Sequence, residues 1–278
     1  MQNVKQIWQE TAKRLEKVYD SREAENISYL LLEDVFKISR ADILTETDKS
    51  VLEDKLENLI RRLLKKEPIQ HVTGVADFYG RKFQISPGAL IPRPETEELC
   101  DLIIKENKQT NLRILDVGVG SGCISVTLNL ELKSKVYGVD ISDEAIDIAN
   151  QNATSLKSSA TFLKSDVLSE ELPEKDLDIL VSNPPYIPMR EKVEMSGNVL
   201  EYEPALALFV PNDDPILFYK RISELGLKSL KKEGKLYFEI HENYGKQVTD
   251  FLKAVGYLDV ILYQDMQGKD RMVSAVRV

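Results

Sequence analysis

ILDVGVGSGCIS, residues Ile114–Ser125, decides how the rest of the chain is read. Its first half is an apolar run that reads as a buried strand, and its second half opens an apolar helix at about residue 122. Between them stand Gly118, Gly120 and Gly122. Glycines at a strand-to-helix turn let the backbone bend sharply and come close to a ligand. The spacing is G-x-G-x-G. A dinucleotide fingerprint places its third glycine one residue later, where Cys123 stands, so a nicotinamide cofactor is disfavoured.

Outward from this loop, strands and helices alternate from about residue 96, which predicts a parallel sheet covered by helices. The expected strands are 113–118, 135–140, 160–166, 177–185 and 234–240, and the expected helices 122–132, 143–155, 215–232 and 243–255. The end differs: YLDVILYQ (257–264) and RMVSAVRV (271–278) are joined by the short DMQGKD, which predicts a hairpin and an antiparallel last strand. Upstream, three apolar stripes predict a small helical bundle: Val4 to Val18, Ala24 to Val35, and Val51 to Leu64, the last ended by Pro68. Between bundle and sheet, Gly74, Gly80 and Gly88 punctuate DFYG and KFQIS, a hairpin connector. It closes on IPRPETEE (91–98), where Thr96 or Glu95 is expected to cap a helix.

Carboxylates sit where this sheet would use them. Asp140 ends the strand VYGVD, 18 residues after Gly122, at the carboxyl edge where such sheets bind ligands. There it can accept both hydroxyls of a ribose. Asp116 either reaches a cationic group of the ligand or accepts loop amides. Asp166 either accepts an adenine amino group or caps a helix. Together these features resemble the S-adenosylmethionine site of the seven-stranded methyltransferases, whose seventh strand is antiparallel.

The run LDILVSNPPYIP carries the reaction chemistry. Methylating a planar NH2 group is hard because its lone pair is delocalised; in an amide that resonance underlies a rotation barrier of ~18–20 kcal/mol. The Asn183 side-chain oxygen can accept one N–H and the Pro184 carbonyl the other, with Pro184 and Pro185 fixing that carbonyl's direction. Two acceptors stabilise positive charge growing on nitrogen and aim its lone pair. Tyr186 can lie flat on the planar group. Alignment at near-attack distance supplies up to ~7–11 kcal/mol. No general base is required and no metal is expected. This logic admits the amino groups of adenine, cytosine and guanine as well as a glutamine amide.

Composition narrows the classes. The chain has 278 residues, 42% of them hydrophobic, with 37 basic against 46 acidic side chains, a formal charge of −9. That balance opposes a general grip on nucleic acid, and the basic pairs Arg61–Arg62, Lys65–Lys66 and Lys231–Lys232 read as solvated helix faces. Cys100 and Cys123 cannot build a disulfide framework, and with His71 and His241 they show no zinc spacing. A reducing cytoplasm is the expected home. The start reads as neither a signal nor a transit peptide, and no apolar run reaches the ~18 residues of a membrane helix.

Over nearly its full length the chain resembles the release-factor glutamine methyltransferases (PrmC, or HemK). The resemblance rests on DFYG (77–80), LIPRPETEEL (90–99), DVGVGSG (116–122), NPPYI (183–187), EYEPALALF (201–209) and GKDRMV (268–273). It implies an α/β fold: a seven-stranded Rossmann-like S-adenosylmethionine-dependent methyltransferase sheet with an antiparallel last strand, plus a small N-terminal helical bundle joined by a β-hairpin connector. The expected domains are a helical substrate-recognition domain, 1–72, a hairpin linker, 73–95, and the methyltransferase domain, 96–278. The implied substrate is the glutamine side-chain amide (N5) in the Gly-Gly-Gln loop of peptide chain release factors. By motif match, Gly118, Val119, Gly120, Ser121, Gly122, Asp140, Asp166, Val167 and Asn183 would touch the cofactor, with Arg93, Pro94, Glu95 and Thr96 lining its side of the cleft. Asn183, Pro184, Pro185 and Tyr186 would hold the glutamine, with Asn183, Pro184 and Tyr186 as the catalytic set. Glu203 and Pro204 would support the substrate loop. The chain departs from the family at Val167, smaller than usual, at Asn212–Asp214 in place of Asp-Gly, and at His241, read as structural. A monomer without membrane or nucleic-acid contact is expected. The competing readings are a nucleic-acid amino-methyltransferase and a non-catalytic binding module.

Overall fold

The computed structural model describes residues 3–47, 49–194 and 201–278. The chain divides into two compact units, one carrying Met1–Val75 and the other Ala76–Ser196 and Glu203–Val278.

The first unit is helical: α1 (Val4–Leu15), α2 (Ser21–Phe36), α3 (Arg40–Leu44), α4 (Glu53–Leu63) and α5 (Ile69–Thr73). Local chemistry starts three of them. The Asn3 side chain accepts from the Gln6 amide and Gln6 returns the bond, Asp20 caps α2 through the Glu23 amide, and Ser39 and Asp42 cap α3 reciprocally, each cap stabilising its helix by roughly 1 kcal/mol. The expected stripes face inward: Leu15, Ala24, Ile27, Leu31, Leu59, Ile60 and Leu63 share one core. Pro68 does more than stop a helix; it is the N-cap of α5. Arg62 is no solvated face either. Its guanidinium pairs with Glu67 and donates to the carbonyls of His71 and Val72, tying α4 to α5.

A hairpin follows at the start of the second unit, β1 (Val75–Phe78, its first residue closing the first unit) and β2 (Arg81–Gln84), turned by Tyr79 and Gly80, both at positive φ. Phe78 and Phe83 meet edge to face at 5.9 Å and join the sheet's core. After α6 (Pro94–Glu106), a seven-stranded sheet forms from β3 (Arg113–Val117), β4 (Lys135–Asp140), β5 (Thr161–Lys164), β6 (Leu177–Ser182), β9 (Leu230–Glu239), β10 (Tyr257–Gln264) and β11 (Asp270–Arg277). The intervening β7 (Ile187–Pro188) and β8 (Phe209–Val210) pair only with each other. The order is β10-β11-β9-β6-β3-β4-β5. Every neighbouring pair from β9 to β5 is parallel, and β11 runs antiparallel to both its neighbours, as expected. The α6, α7 (Cys123–Leu132) and α8 (Asp143–Ser155) helices feed one core, and helices Leu217–Ser229 and Gly245–Val255 the other.

From β3 the chain winds outward through β4 and β5, then returns to β6 on the opposite side. That reversal opens a crevice at the carboxyl ends of β3 and β6. The register levels those ends: Val117 pairs with Val139 and Ser182, and Ser182 with Phe238. Asp140, Asn183 and Glu239 therefore emerge along one lip.

Several boundaries differ from expectation for physical reasons. The β6 strand stops at Ser182 rather than 185, because Pro184 and Pro185 have no N–H for a ladder; the Ser182 hydroxyl instead donates to the Val117 carbonyl at 2.7 Å. Helix α6 starts at Pro94, its first-turn proline, with Arg93 as an N-cap that makes no side-chain bond, so neither Thr96 nor Glu95 caps it. Strand β9 begins at Leu230, which places Lys231 and Lys232 on a strand, with Lys231 paired to Asp178 at 2.9 Å.

Candidate active site

The crevice is a cleft of about 270 Å³ walled by the glycine loop, the ends of β4 and β6, and the segments around Arg93 and Pro204. Gly118, Gly120 and Gly122 all have positive φ (80°, 51° and 79°), which their alternation made possible. The Gly118 and Val119 amides donate to the Val139 carbonyl at 2.8 and 3.2 Å, pinning the loop to β4. A side chain at Gly120 would meet nothing within 4 Å, so the loop faces open space there. Gly122 instead backs onto Ala149 and N-caps α7, outside the cleft wall.

Asp140 is held from both sides. Its Oδ2 accepts from the Gly120 amide and its Oδ1 from the Ser142 amide, each at 3.0 Å. Each oxygen keeps a second lone pair for a ligand hydroxyl. Asp166 and Val167 line the same cleft. The Asp166 carboxylate caps the turn it starts, accepting from the Leu168 amide at 3.0 Å and the Ser169 hydroxyl at 2.8 Å; it is at once cap and cleft wall. Ile141 and Leu168, which no motif marked, are 43% and 40% exposed beside them. Apolar side chains so exposed in a concave site suit a flat ring that would cover them.

Asp116 does not reach the cleft. It is fully buried, its Oδ2 accepts from the Ser125 hydroxyl at 2.6 Å, and its Oδ1 has no partner among the described residues. Burial, with the nearby Asp140 charge adding to it, pushes its carboxyl up to about 7. Burial likewise raises the Cys123 thiol to about 12 and Cys100 well above its usual value, which leaves both inert as nucleophiles.

Asn183, Pro184 and Pro185 form the cleft wall at the end of β6. The Asn183 NH2 group donates to Thr96 Oγ1 at 3.2 Å, and the Thr96 hydroxyl donates to Glu239 Oε2 at 2.7 Å. Tyr186 turns away from the cleft wall: its hydroxyl donates to Glu239 Oε1 at 3.4 Å, and its ring meets His241 edge-on at 5.9 Å. His241 itself is structural, bonded through Nε2 to Glu191 at 3.0 Å and through Nδ1 to the Asn243 amide. Arg93, Thr96, Val119, Ser121 and Pro204 line the cleft; Pro94, Glu95 and Glu203 do not. Glu203, its side chain buried, holds Arg93 by an ion pair at 2.5 Å and so braces the rim. Glu239 was missed from sequence. The available signal was an acid closing the apolar strand KLYFEI. Among the described residues no group of His, Cys, Asp or Glu is placed to hold a metal ion, and no helix is long and apolar enough to cross a membrane.

A seven-stranded sheet whose last strand is antiparallel, with Asp140, Asn183 and the glycine loop lining one cleft at the strands' carboxyl ends, has the build of an S-adenosylmethionine-dependent methyltransferase. Comparison with known proteins agrees. Residues 98–201 match the methyltransferase small domain and residues 6–74 the PrmC N-terminal domain. The release factor glutamine methyltransferase of Bacteroides thetaiotaomicron is 46% identical over 268 residues, 95% of this chain and 96% of its own length. That of Flavobacterium psychrophilum is 40% identical over 93% of this chain and 94% of its length. Among solved structures, a methyltransferase from Pyrococcus furiosus covers 80% of this chain and 98% of its own with a TM-score of 0.54 at 16% identity. A SAM-dependent O-methyltransferase from Thermotoga maritima covers 79% and 81% with a TM-score of 0.50 at 17% identity. At such identities the two structures speak for the fold alone. The chain belongs to the release factor glutamine methyltransferase family.

Proposed function

We propose that this enzyme methylates the side-chain amide nitrogen (N5) of the glutamine in the Gly-Gly-Gln loop of peptide chain release factors. The observation that carries the reading is the Asn183 carboxamide at the cleft wall, its NH2 end committed to Thr96 and its Oδ1 making no hydrogen bond among the described residues. When bound, S-adenosylmethionine supplies an electrophilic methyl on a sulfonium. Asp140 would hold its ribose, the glycine loop its amino-acid part, and Ile141, Val167 and Leu168 its adenine. Asn183 Oδ1 accepts one N–H of the substrate amide and the Pro184 carbonyl the other. Those two acceptors stabilise the positive charge that grows on nitrogen as its lone pair is withdrawn from amide resonance. The proton is then lost to solvent, since an alkylated amide nitrogen is strongly acidic. Tyr186 backs the prolines, and Glu203 and Pro204 support the rim. The helical domain, 1–72, would recognise the release factor, with the protein acting as a monomer in the cytoplasm. The test is to incubate enzyme and labelled cofactor with a release factor and, separately, with RNA. Label on the glutamine N5 is expected; label on RNA, or on another atom of the protein, overturns the proposal.

A further inference from the structure

A carboxamide has nearly the same shape either way round, yet its two ends do opposite things. With Oδ1 toward the cleft, Asn183 accepts a substrate N–H; flipped, it presents a donor to a donor. Something must hold it one way. The structure holds it through a chain of three groups. Thr96 Oγ1 has a single hydrogen. Glu239 Oε2 lies 2.7 Å away, and an ionised carboxylate only accepts, so that hydrogen belongs to Glu239. Thr96 is left with lone pairs alone toward Asn183, which must answer with its NH2, at 3.2 Å. The other carboxylate oxygen takes the Tyr186 hydroxyl at 3.4 Å, and the Glu239 backbone carbonyl takes the Tyr219 hydroxyl at 3.2 Å. Glu239 is 1% exposed, so no water competes for the Thr96 proton.

We propose that Glu239 and Thr96 are positioning residues for methyl transfer: the buried carboxylate fixes the direction of the Thr96 hydroxyl, and the hydroxyl fixes which end of Asn183 faces the substrate. This rests on the reading of Asn183 as the group that holds the substrate amide.

The chain works in one direction only while Glu239 is ionised. Once protonated, Glu239 can itself donate to Thr96, the Thr96 hydrogen becomes free to donate toward Asn183, and the flipped carboxamide is no longer excluded. The charged or titratable groups facing Glu239 are Arg271 from β11, Glu95 and Cys100 from α6, Cys123 from α7, Tyr186 from the loop after β6 and Tyr219 from the helix beneath. Burial pushes the carboxyl up to about 7, against the pull of the Thr96 bond and the Arg271 charge. Turnover should therefore fall as pH drops through that region.

The test is single-turnover methyl transfer to a release factor from pH 5.5 to 9, with the cofactor dissociation constant measured alongside. Thr96→Val should lower the transfer rate at pH 8 roughly 10- to 100-fold, the scale of a misplaced reacting group, well beyond any loss of cofactor affinity, and show no acid limb. Thr96→Ser should recover most of the rate and the limb. Glu239→Gln, which removes the titration, should lose the limb whatever its rate. Thr96→Val with a wild-type rate and profile, or Glu239→Gln with the limb intact, overturns the inference. Wild-type enzyme that labels no release factor overturns instead the functional reading beneath it.

Discussion

Asp116→Asn should make this protein more stable at neutral and alkaline pH, and no more stable near pH 4.5. The Asp116 carboxyl lies wholly buried under the glycine loop, with one bond from Ser125 and one oxygen unpartnered among the described residues. Burial raises its pKa from 3.8 to about 7. The sign follows from linkage: the folded state favours the neutral acid, so its stabilising contribution is complete below about pH 4, fades as pH rises, and is gone above about 7. Three pKa units correspond to about 4 kcal/mol at most. Asparagine is neutral throughout and keeps an acceptor for Ser125, but it sets an NH2 where the lone oxygen was, which costs roughly 1–3 kcal/mol if unpaired. The net expectation is a gain of about 1–3 kcal/mol at pH 8, shrinking to zero or reversing at pH 4.5. Urea midpoints of the two proteins at pH 8, 6 and 4.5 measure it directly. Since Asp116 lies outside the cleft wall, cofactor affinity should change by less than about threefold, below the roughly 1–3 kcal/mol that loss of a direct partner brings. A variant equally destabilised at all three pH values would refute the reasoning, because it would mean that folding does not shift the titration of this carboxyl.

Asp140→Ala should weaken cofactor binding at least about tenfold while leaving turnover at saturating cofactor less affected, whereas Asn183→Ala should do the reverse, with turnover down roughly 100- to 1000-fold; calorimetry and single-turnover transfer separate the two. Gly138→Ala places a Cβ 2.4 Å from a Val119 methyl and 2.8 Å from the Phe162 ring. Because Val119 belongs to the glycine loop, the variant should lose about 1–3 kcal/mol by urea titration and bind cofactor more weakly.

What could be read in the sequence was what neighbours in sequence decide. The glycine alternation, the acid closing VYGVD and the Asn-Pro-Pro run are each complete within about a dozen residues and the terminal hairpin within about twenty, and each stands where its pattern put it. Boundaries failed where a local signal had two meanings: Pro94 reads as connector ahead of a helix capped at Thr96 or Glu95 and is itself the helix start, and the β6 strand reads through Pro185 although proline cannot join a ladder. Roles failed where a partner was remote. Thr96 looks like a cap because caps are threonines, but its hydroxyl goes to a carboxylate 143 residues away. Glu239 looks like a polar residue at a strand end. Tyr186 looks like a platform for a flat group, yet its hydroxyl is drawn to that same carboxylate. The missing information was strand order rather than chemistry. Once β6 is known to lie beside β9 with Ser182 opposite Phe238, the residue after each pair must emerge side by side, and those residues are Asn183 and Glu239. A buried acid beside a carboxamide then requires a donor for its oxygen, and the first turn of α6 provides the hydroxyl. Local pattern could therefore put Asp140, Asn183 and the glycine loop at one cleft, while the Thr96–Glu239 pair beside Asn183 depends on a pairing register that local pattern does not carry.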